Sequence, residues 1–409
     1  MSTSRPLGNP ESFRFDRRTI YVLGASQSGQ AIARHCLRRG DRVLLSDNDP
    51  NRALESRTIR SCGMLSYSRG RHEPAFVAAA DEVVLSPGVP MDCGIVAYAK
   101  QLGKSVQTTV EFVASESLAD LIVVTGTSGK TTILDVLRRL IKASGAGSHV
   151  ALTDRRDGIG IASVLEDASS RSVVAELSVS ELADVRHLEA KRLVVTSLAE
   201  VNNHDEFESF PAYLQAKLGW LSTLGTKLAI LAGSVEADVI REHFESRGFM
   251  DLPLEFQVVP DGVGPTLALA ERVRCVMAEV GLEQWAGPRS ILDAIRATLL
   301  DRCEAIEGFA MPILNVGVCK NADSLAWTAD AICSDPRIIT ARPLDTQSRS
   351  SRGHVIDLNQ DPIEIEEAIE IWSRRAHPGE QGTVVIDEFT RKKLFAESRA
   401  DAKVSIGPT

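Results

Sequence analysis

The chain is short of the features that would assign it at sight. No two of its seven cysteines (Cys36, Cys62, Cys93, Cys275, Cys303, Cys319 and Cys333) are spaced as CxxC, and the number is odd. That argues against a disulfide framework and for free thiols in a reducing, cytoplasmic setting. No stretch approaches the roughly 20 apolar residues of a membrane helix. The opening MSTSRPLGNPESFRFDRR has no apolar core of signal-peptide type. An excess of basic charge is also missing. Lys plus Arg is 46 against 55 Asp plus Glu, a net charge of −9. A chain-wide nucleic-acid surface is thus not expected, and neither is a membrane partner. There is no short repeat and no low-complexity tract.

What is present is length and an alternating pattern. The 409 residues are about three times a typical domain, and 44% are hydrophobic, enough for large packed cores. TIYVL (19–23) reads as a strand ending at Gly24, followed by a helix closed by Gly40 and a second strand, RVLLSD (42–47). EVVLS (82–86) is a third, and residues 105–120 read as a short helix and a polar link. A new unit starts at LIVVTG (121–126). Its helix carries Ile133, Leu134, Leu137, Leu140 and Ile141 at helical spacing. SVVAEL (172–177), RLVVTSL (192–198), KLAILAG (227–233) and FQVV (256–259) read as further strands. Helices are expected over 265–280 and near 290–300.

PILNVGV (312–318), RIITA (337–341), HVIDL (354–358) and GTVVIDE (382–388) continue the strands, with helices expected over 322–334, 363–376 and 389–398. The pattern predicts an α/β protein with mostly parallel sheets. Three domains are expected: a Rossmann-like one over 1–115, a central P-loop ATPase-type one over 116–298, and a Rossmann-like C-terminal one over 299–409.

The strongest motif is TGTSGKTT (125–132), between a buried strand and an amphipathic helix. Its glycines let the backbone curl, so that N–H groups face phosphate oxygens. Gly126, Thr127, Ser128, Gly129 and Thr132 form the candidate cradle. Lys130 would lie along the outer phosphates, and the Thr131 hydroxyl would ligate Mg²⁺. GxxxxGK[ST] would place Gly at position 124, where this chain has Val124. A second glycine turn, Gly24 to Gly29, has Ser26 where a dinucleotide fingerprint needs Gly. It favours a nucleotide-like or sugar-phosphate ligand over NAD, with Ser26, Gln27, Ser28 and Asp47 as candidate substrate contacts.

The order of TGTSGKTT, AELSVSEL (175–182), NNHDE (202–206) and YLQAK (213–217) resembles the Mur ligases, ATP-dependent amide-forming enzymes. GASQSG, Asp47, SPGVP (86–90) and TVEF (109–112) resemble most the branch that acts on UDP-N-acetylmuramoyl-alanine. The resemblance is clear over 18–220, faint to 300 and partial beyond. It implies ATP and Mg²⁺, two ions, as cofactors. Glu176 and His204 are then metal ligands beside Thr131, and Lys217 matches a lysine that the family carbamylates. An ammonium beside Mg²⁺ is repelled by several kcal/mol at an effective dielectric constant of about 20, whereas a carbamate is an oxygen ligand. Lys130, His204 and Lys217 are the implied catalytic residues.

The departures are specific. Ala199 and Asn203 replace an Asn and an Asp of the family, and GPTLALAERV lacks its adenine-contacting Asn. In DRCE (301–304) Arg302 survives but the His does not, and NVGVCKN (315–321) replaces its nucleotide-contacting segment, with Lys320 standing in. Arg302 and Lys320 are carried as nucleotide contacts. An acidic Ile386-Asp387-Glu388-Phe389 occupies the amino-acid loop and would favour a cationic or neutral amine. The expectation is a ligase of small-molecule carboxylate and amine substrates, monomeric or homodimeric, with a diverged acceptor. The alternatives are the housekeeping UDP-N-acetylmuramoyl-alanine–D-glutamate activity and a catalytically degenerate nucleotide-binding regulator.

Overall fold

The computed structural model describes residues 17–55, 63–145, 149–167, 169–199, 207–260 and 265–300, with strand segments 303–305, 313–319, 338–340 and 381–387. Two compact units are present. The first contains residues up to Leu118 together with Arg155–Ala168 and Asp184–Leu188; the second contains the remainder.

The first unit is built on five parallel strands: β1 (Thr19–Leu23), β2 (Arg42–Asp47), β3 (Leu65–Arg69), β4 (Glu82–Leu85) and β5 (Ser105–Thr108). Their spatial order is β3-β2-β1-β4-β5. β1 and β2 are near-continuous apolar runs because both faces are covered, as a parallel sheet requires. The order reverses beside β1, the kind of switch point where open α/β sheets bind ligands at the carboxyl ends of their strands.

Helix Gln27–Arg39 follows β1. Ser26 caps its start, and Gly40, in the left-handed region at φ 88°, ends it. A Cβ at Gly29 would lie 2.0 Å from the Gly24 carbonyl oxygen, so only glycine lets this helix sit against the turn. Glu111 ties the returning segment Asp184–Leu188 to the end of β5. Its Oε2 accepts from the N–H and hydroxyl of Thr108 in a capping box, at 2.8 and 2.9 Å. Its Oε1 accepts from the N–H groups of Arg186 and His187, at 2.7 and 3.0 Å.

The second unit contains a six-stranded sheet of β6 (Asp120–Thr125), β7 (Val150–Thr153), β8 (Ser172–Glu176), β9 (Arg192–Val195), β10 (Leu228–Gly233) and β11 (Leu254–Val259). The order is β11-β10-β9-β6-β8-β7, parallel at every pairing. Helix Lys130–Ser144 buries the predicted face of Ile133, Leu134, Leu137, Leu140 and Ile141. These residues share one core with Leu269, Val273, Val276 and Met277 of helix Pro265–Glu279 and with Ile291 and Ile295 of helix Pro288–Leu300.

A further sheet has β12 (Cys303–Ala305) antiparallel to β13 (Ile313–Cys319). β13 and β14 (Ile338–Thr340) both run parallel to β15 (Gln381–Asp387). The α/β class and the parallel sheets expected from the sequence are present. β3, β5, β7 and β12 were not anticipated. The expected strand 354–358 and the helices over 322–334, 363–376 and 389–398 lie outside the described residues. Among the described residues no helix is long and apolar enough to cross a membrane.

Candidate active site

The site is built at the carboxyl end of β6. Gly126 follows at φ 147°, and a Cβ there would lie 2.1 Å from Thr196 Oγ1 and 2.9 Å from the Ser197 nitrogen. Glycine is therefore required both by the backbone and by the space. The loop is laced to the chain that leaves β9. Thr127 N–H donates to the Ser197 carbonyl at 2.8 Å, and Ser128 N–H donates to Ser197 Oγ at 3.0 Å. Thr196 Oγ1 donates to the Ser128 carbonyl in a short contact. Thr127 Oγ1 accepts from Ala199 N–H at 3.1 Å and lies 3.0 Å from Tyr213 Oη.

Gly129, at φ 85°, is the N-cap of helix Lys130–Ser144 and supplies no side-chain cap. The first backbone bond of that helix runs from Ile133 N–H to the Gly129 carbonyl at 3.1 Å. The N–H groups of Lys130, Thr131 and Thr132 thus lie outside the helix's own ladder, at the positive end of its dipole. This is the geometry that binds phosphate. Lys130 Nζ folds back over the loop to the Gly126 carbonyl at 2.9 Å.

Two further side chains converge here. Thr131 Oγ1 donates to Glu176 Oε1 at 2.9 Å, joining the first helical turn to the end of β8. Helix Phe210–Leu218 delivers Lys217, only 1% exposed, beneath the loop. Its Nζ lies 3.2 Å from the Gly126 carbonyl, 3.4 Å from Thr125 Oγ1 and 5.0 Å from the centre of the Tyr213 ring. Lys130 and Lys217 therefore meet at one carbonyl oxygen. Burial, with the charge of Lys130 as a lesser cause, pushes Lys217 down to about 7.

A hydroxyl and a carboxylate side by side are hard oxygen donors of the kind Mg²⁺ takes, with water and phosphate completing its shell. The charge of Lys130 over the loop suits a polyanion. The residues present therefore fit a magnesium-bound nucleoside triphosphate. Among the described residues no group of three or more His, Cys, Asp or Glu forms a metal cluster. His204, Arg302 and Lys320 lie outside the described residues.

In the first unit the candidate substrate residues separate. Ser26 Oγ pairs with Ser86 Oγ at 2.5 Å. Asp47 Oδ2 accepts from Ala25 N–H at 2.7 Å, and its Oδ1 accepts from Asp49 N–H at 2.9 Å. Both residues therefore line the Gly24 turn. Ser28 Oγ instead donates to the Ile159 carbonyl at 2.7 Å, and a Cβ at Gly158 would lie 1.9 Å from Gln27 Oε1. Gln27 and Ser28 thus hold the returning segment. Sequence reasoning missed Thr196, Ser197 and Tyr213. Only Tyr213 carried a signal, four residues before Lys217 on the same helix.

A parallel sheet whose β6 ends in a glycine loop, with a helix start, two lysines and a Thr–carboxylate pair around it, defines a phosphate-binding α/β domain. Residues 124–249 match the family model described as the Mur ligase middle domain. Over that middle stretch the chain resembles the Mur ligases. It is 31% identical over 205 residues to a UDP-N-acetylmuramoylalanine–D-glutamate ligase of Geotalea uraniireducens, covering 49% of this chain and 44% of that protein. It is 24% identical over 337 residues to the protein of that name from Syntrophotalea carbinolica, covering 78% and 72%. The match spans less than half the length of the first of these relatives. A solved pseudomurein peptide ligase type C from Methanothermus fervidus superposes with a TM-score of 0.48 at 13% identity, covering 93% of this chain and all of that one.

Proposed function

We propose that the protein is an ATP-dependent ligase joining a carboxylate to an amine. The carboxylate oxygen attacks the γ-phosphorus of ATP and ADP departs. The amine nitrogen then attacks the acyl carbon, the phosphate leaves with the C–O bonding pair, and the amine gives up a proton. The convergence of Lys130, Lys217, Thr131 and Glu176 on one phosphate-binding loop supports this reading most directly. Magnesium, when bound, would neutralise phosphate charge, and Thr131 Oγ1 and Glu176 are the groups that would hold it. The first-turn N–H groups of helix Lys130–Ser144 would orient the phosphates, and Lys130 would balance charge gathering on the transferred group.

Lys217 is proposed to carry a carbamate. Its neutral amine adds CO₂ and releases one proton, which places an anion beside the charge of Lys130. The fold position of Ser26 and Asp47 supports a uridine-linked sugar acid as the carboxyl substrate, held by the first unit. The relatives named for UDP-N-acetylmuramoylalanine favour the same class. Asp387 and Glu388 support an amine acceptor that is cationic or neutral.

The test is phosphate release from ATP and Mg²⁺ with UDP-N-acetylmuramoyl-alanine and with other carboxylates, against glutamate, lysine-like and neutral amines. Release only when both a carboxylate and an amine are present is expected. Preference for glutamate would remove the diverged acceptor and restore the housekeeping activity. ATP binding without release across the panel would replace the ligase with a nucleotide-binding regulator.

A further inference from the structure

Two buried hydroxyl groups and a half-buried histidine in the first unit form a chain that the phosphate chemistry does not use. Glu73 N–H donates to Tyr21 Oη at 3.2 Å. Tyr21 Oη lies 2.7 Å from Ser46 Oγ, and Ser46 Oγ lies 2.8 Å from His72 Nδ1. Tyr21 and Ser46 are both fully buried.

Donor and acceptor counting fixes the polarity of this chain. Tyr21 has one hydroxyl hydrogen, and among the described contacts its only acceptor is Ser46 Oγ. If Ser46 donated to Tyr21 instead, that hydrogen would be buried without a partner, at a cost of about 1–3 kcal/mol. Tyr21 therefore donates to Ser46, and Ser46 donates to His72. The Nδ1 of His72 is then an acceptor, and its proton sits on Nε2. Burial lowers the proton affinity of His72 more than nearby Asp47 raises it, in keeping with the neutral ring.

The placement gives this proton a use. Ser46 and Asp47 end β2, and the Ser46 carbonyl accepts from Gly24 N–H at 2.8 Å, so the relay adjoins the glycine turn after β1. His72 lies three residues beyond the end of β3, at the same carboxyl edge of the sheet, and is half-buried. Nδ1 faces the interior through Ser46, which leaves Nε2 on the opposite side of the ring.

We propose that His72 is a specificity-determining residue of the first unit, held by the Tyr21–Ser46 relay as an Nε2–H donor for a carbonyl oxygen of the bound substrate. The proposal rests on the reading that this unit holds a uridine-linked substrate. A pyrimidine ring offers such carbonyl oxygens, and a fixed tautomer presents to them a donor and never an acceptor.

The probe is uridine 5′-diphosphate, titrated calorimetrically into the full chain, with ATP titrated separately as a control on the second unit. His72→Phe should weaken UDP binding roughly three- to tenfold, the scale of one lost neutral hydrogen bond. His72→Gln, which keeps an N–H donor, should recover most of the loss. ATP affinity should be unchanged in both. ¹⁵N imidazole spectra of the ligand-free protein should show the Nε2–H tautomer, and Ser46→Ala should give a mixture. Equal UDP affinity in wild type and His72→Phe, or an Nδ1–H tautomer in the wild type, would overturn the His72 assignment alone. Failure of the wild type to bind UDP would overturn the uridine-linked reading, and the role of His72 with it.

Discussion

Both units open in the same way, with a buried parallel strand, a glycine turn and a helix, yet the two turns are chemically opposite. After β1, oxygen atoms occupy the turn. Ser26 accepts from Gly29 N–H and pairs with Ser86, while Asp47 takes the Ala25 N–H. After β6, Gly129 offers no capping side chain, and Lys130 and Lys217 close on the Gly126 carbonyl. A helix start already satisfied by its own side chains has little left for an anion. One without a capping side chain, with a cation over it, attracts it. The same local topology therefore presents an oxygen-lined, already capped helix start in one unit and an uncapped one with a cation over it in the other.

The largest break in this comparison is expected from Lys130→Met. It removes the cation over the loop while leaving Gly126 and the buried face of the helix in place. Substrate-dependent phosphate release should fall by at least about a hundredfold, the scale of losing one preorganised electrostatic contact. Thermal unfolding and UDP binding should stay near wild type. A mutant that retained wild-type turnover would show that the loop is not the catalytic phosphate site.

The two glycines offer a matched pair. Gly126→Ala would drive a methyl group to 2.1 Å from Thr196 Oγ1, and Gly29→Ala would drive one to 2.0 Å from the Gly24 carbonyl. Each must shift backbone and should destabilise its own unit by about 1–3 kcal/mol or more. Only Gly126→Ala should weaken ATP binding directly, because that turn is the proposed triphosphate site. Calorimetry with ATP and with UDP on both variants checks the separation. A Gly29→Ala protein that folded normally but lost ATP binding would break the assignment of ligands to units.

How much of this was legible in the sequence follows from where each strand lies. β1, β2, β6, β8, β9 and β10 are interior strands, and covered faces on both sides make them apolar runs. β3, β5, β7 and β12, which sequence reading missed, are all edge strands. LSYSR and SVQT carry the polar residues that edges tolerate. The phosphate loop was legible because its geometry is set within eight consecutive residues. The contacts that brace it join Thr127 to Tyr213 and Ser128 to Ser197 across long stretches of chain, and nothing local announces them. In the first turn, Ser28 looked like a ligand contact because of its place after Gly24. Tertiary packing gives its hydroxyl to Ile159 instead.

A smaller effect, readable as pH dependence, comes from Lys217. Its folded value of about 7 lies below the ordinary 10.5. Between those values the unfolded chain binds a proton that the folded chain does not, so stability rises with pH across that window and is lost as pH falls toward 7. The slope is on the order of 1 kcal/mol per pH unit at most. Denaturant melts of wild type and Lys217→Met, in buffer stripped of CO₂ and nucleotide, should diverge in this sense between neutral and alkaline pH. Bicarbonate should reduce the difference by converting the amine to carbamate. Parallel curves would mean that Lys217 is charged in the folded chain, and the crowding of two cations at Gly126 would then need another counter-charge.

The smallest expected effect probes the other turn. Ser26→Ala removes the oxygen that caps helix Gln27–Arg39 and the partner of Ser86 Oγ. Loss of such a cap costs about 1 kcal/mol, small enough to leave the unit folded. It also bares the Gly29 N–H, so the first turn becomes more like the second. If capping is what keeps anions off this helix start, Ser26→Ala should gain weak phosphate binding there, seen as shifts of the Gly29 and Ser86 amide resonances on titration with inorganic phosphate. The Lys130 site should be unaffected. No shift on titration would place the discrimination elsewhere, in the lysines of the second turn rather than the hydroxyls of the first.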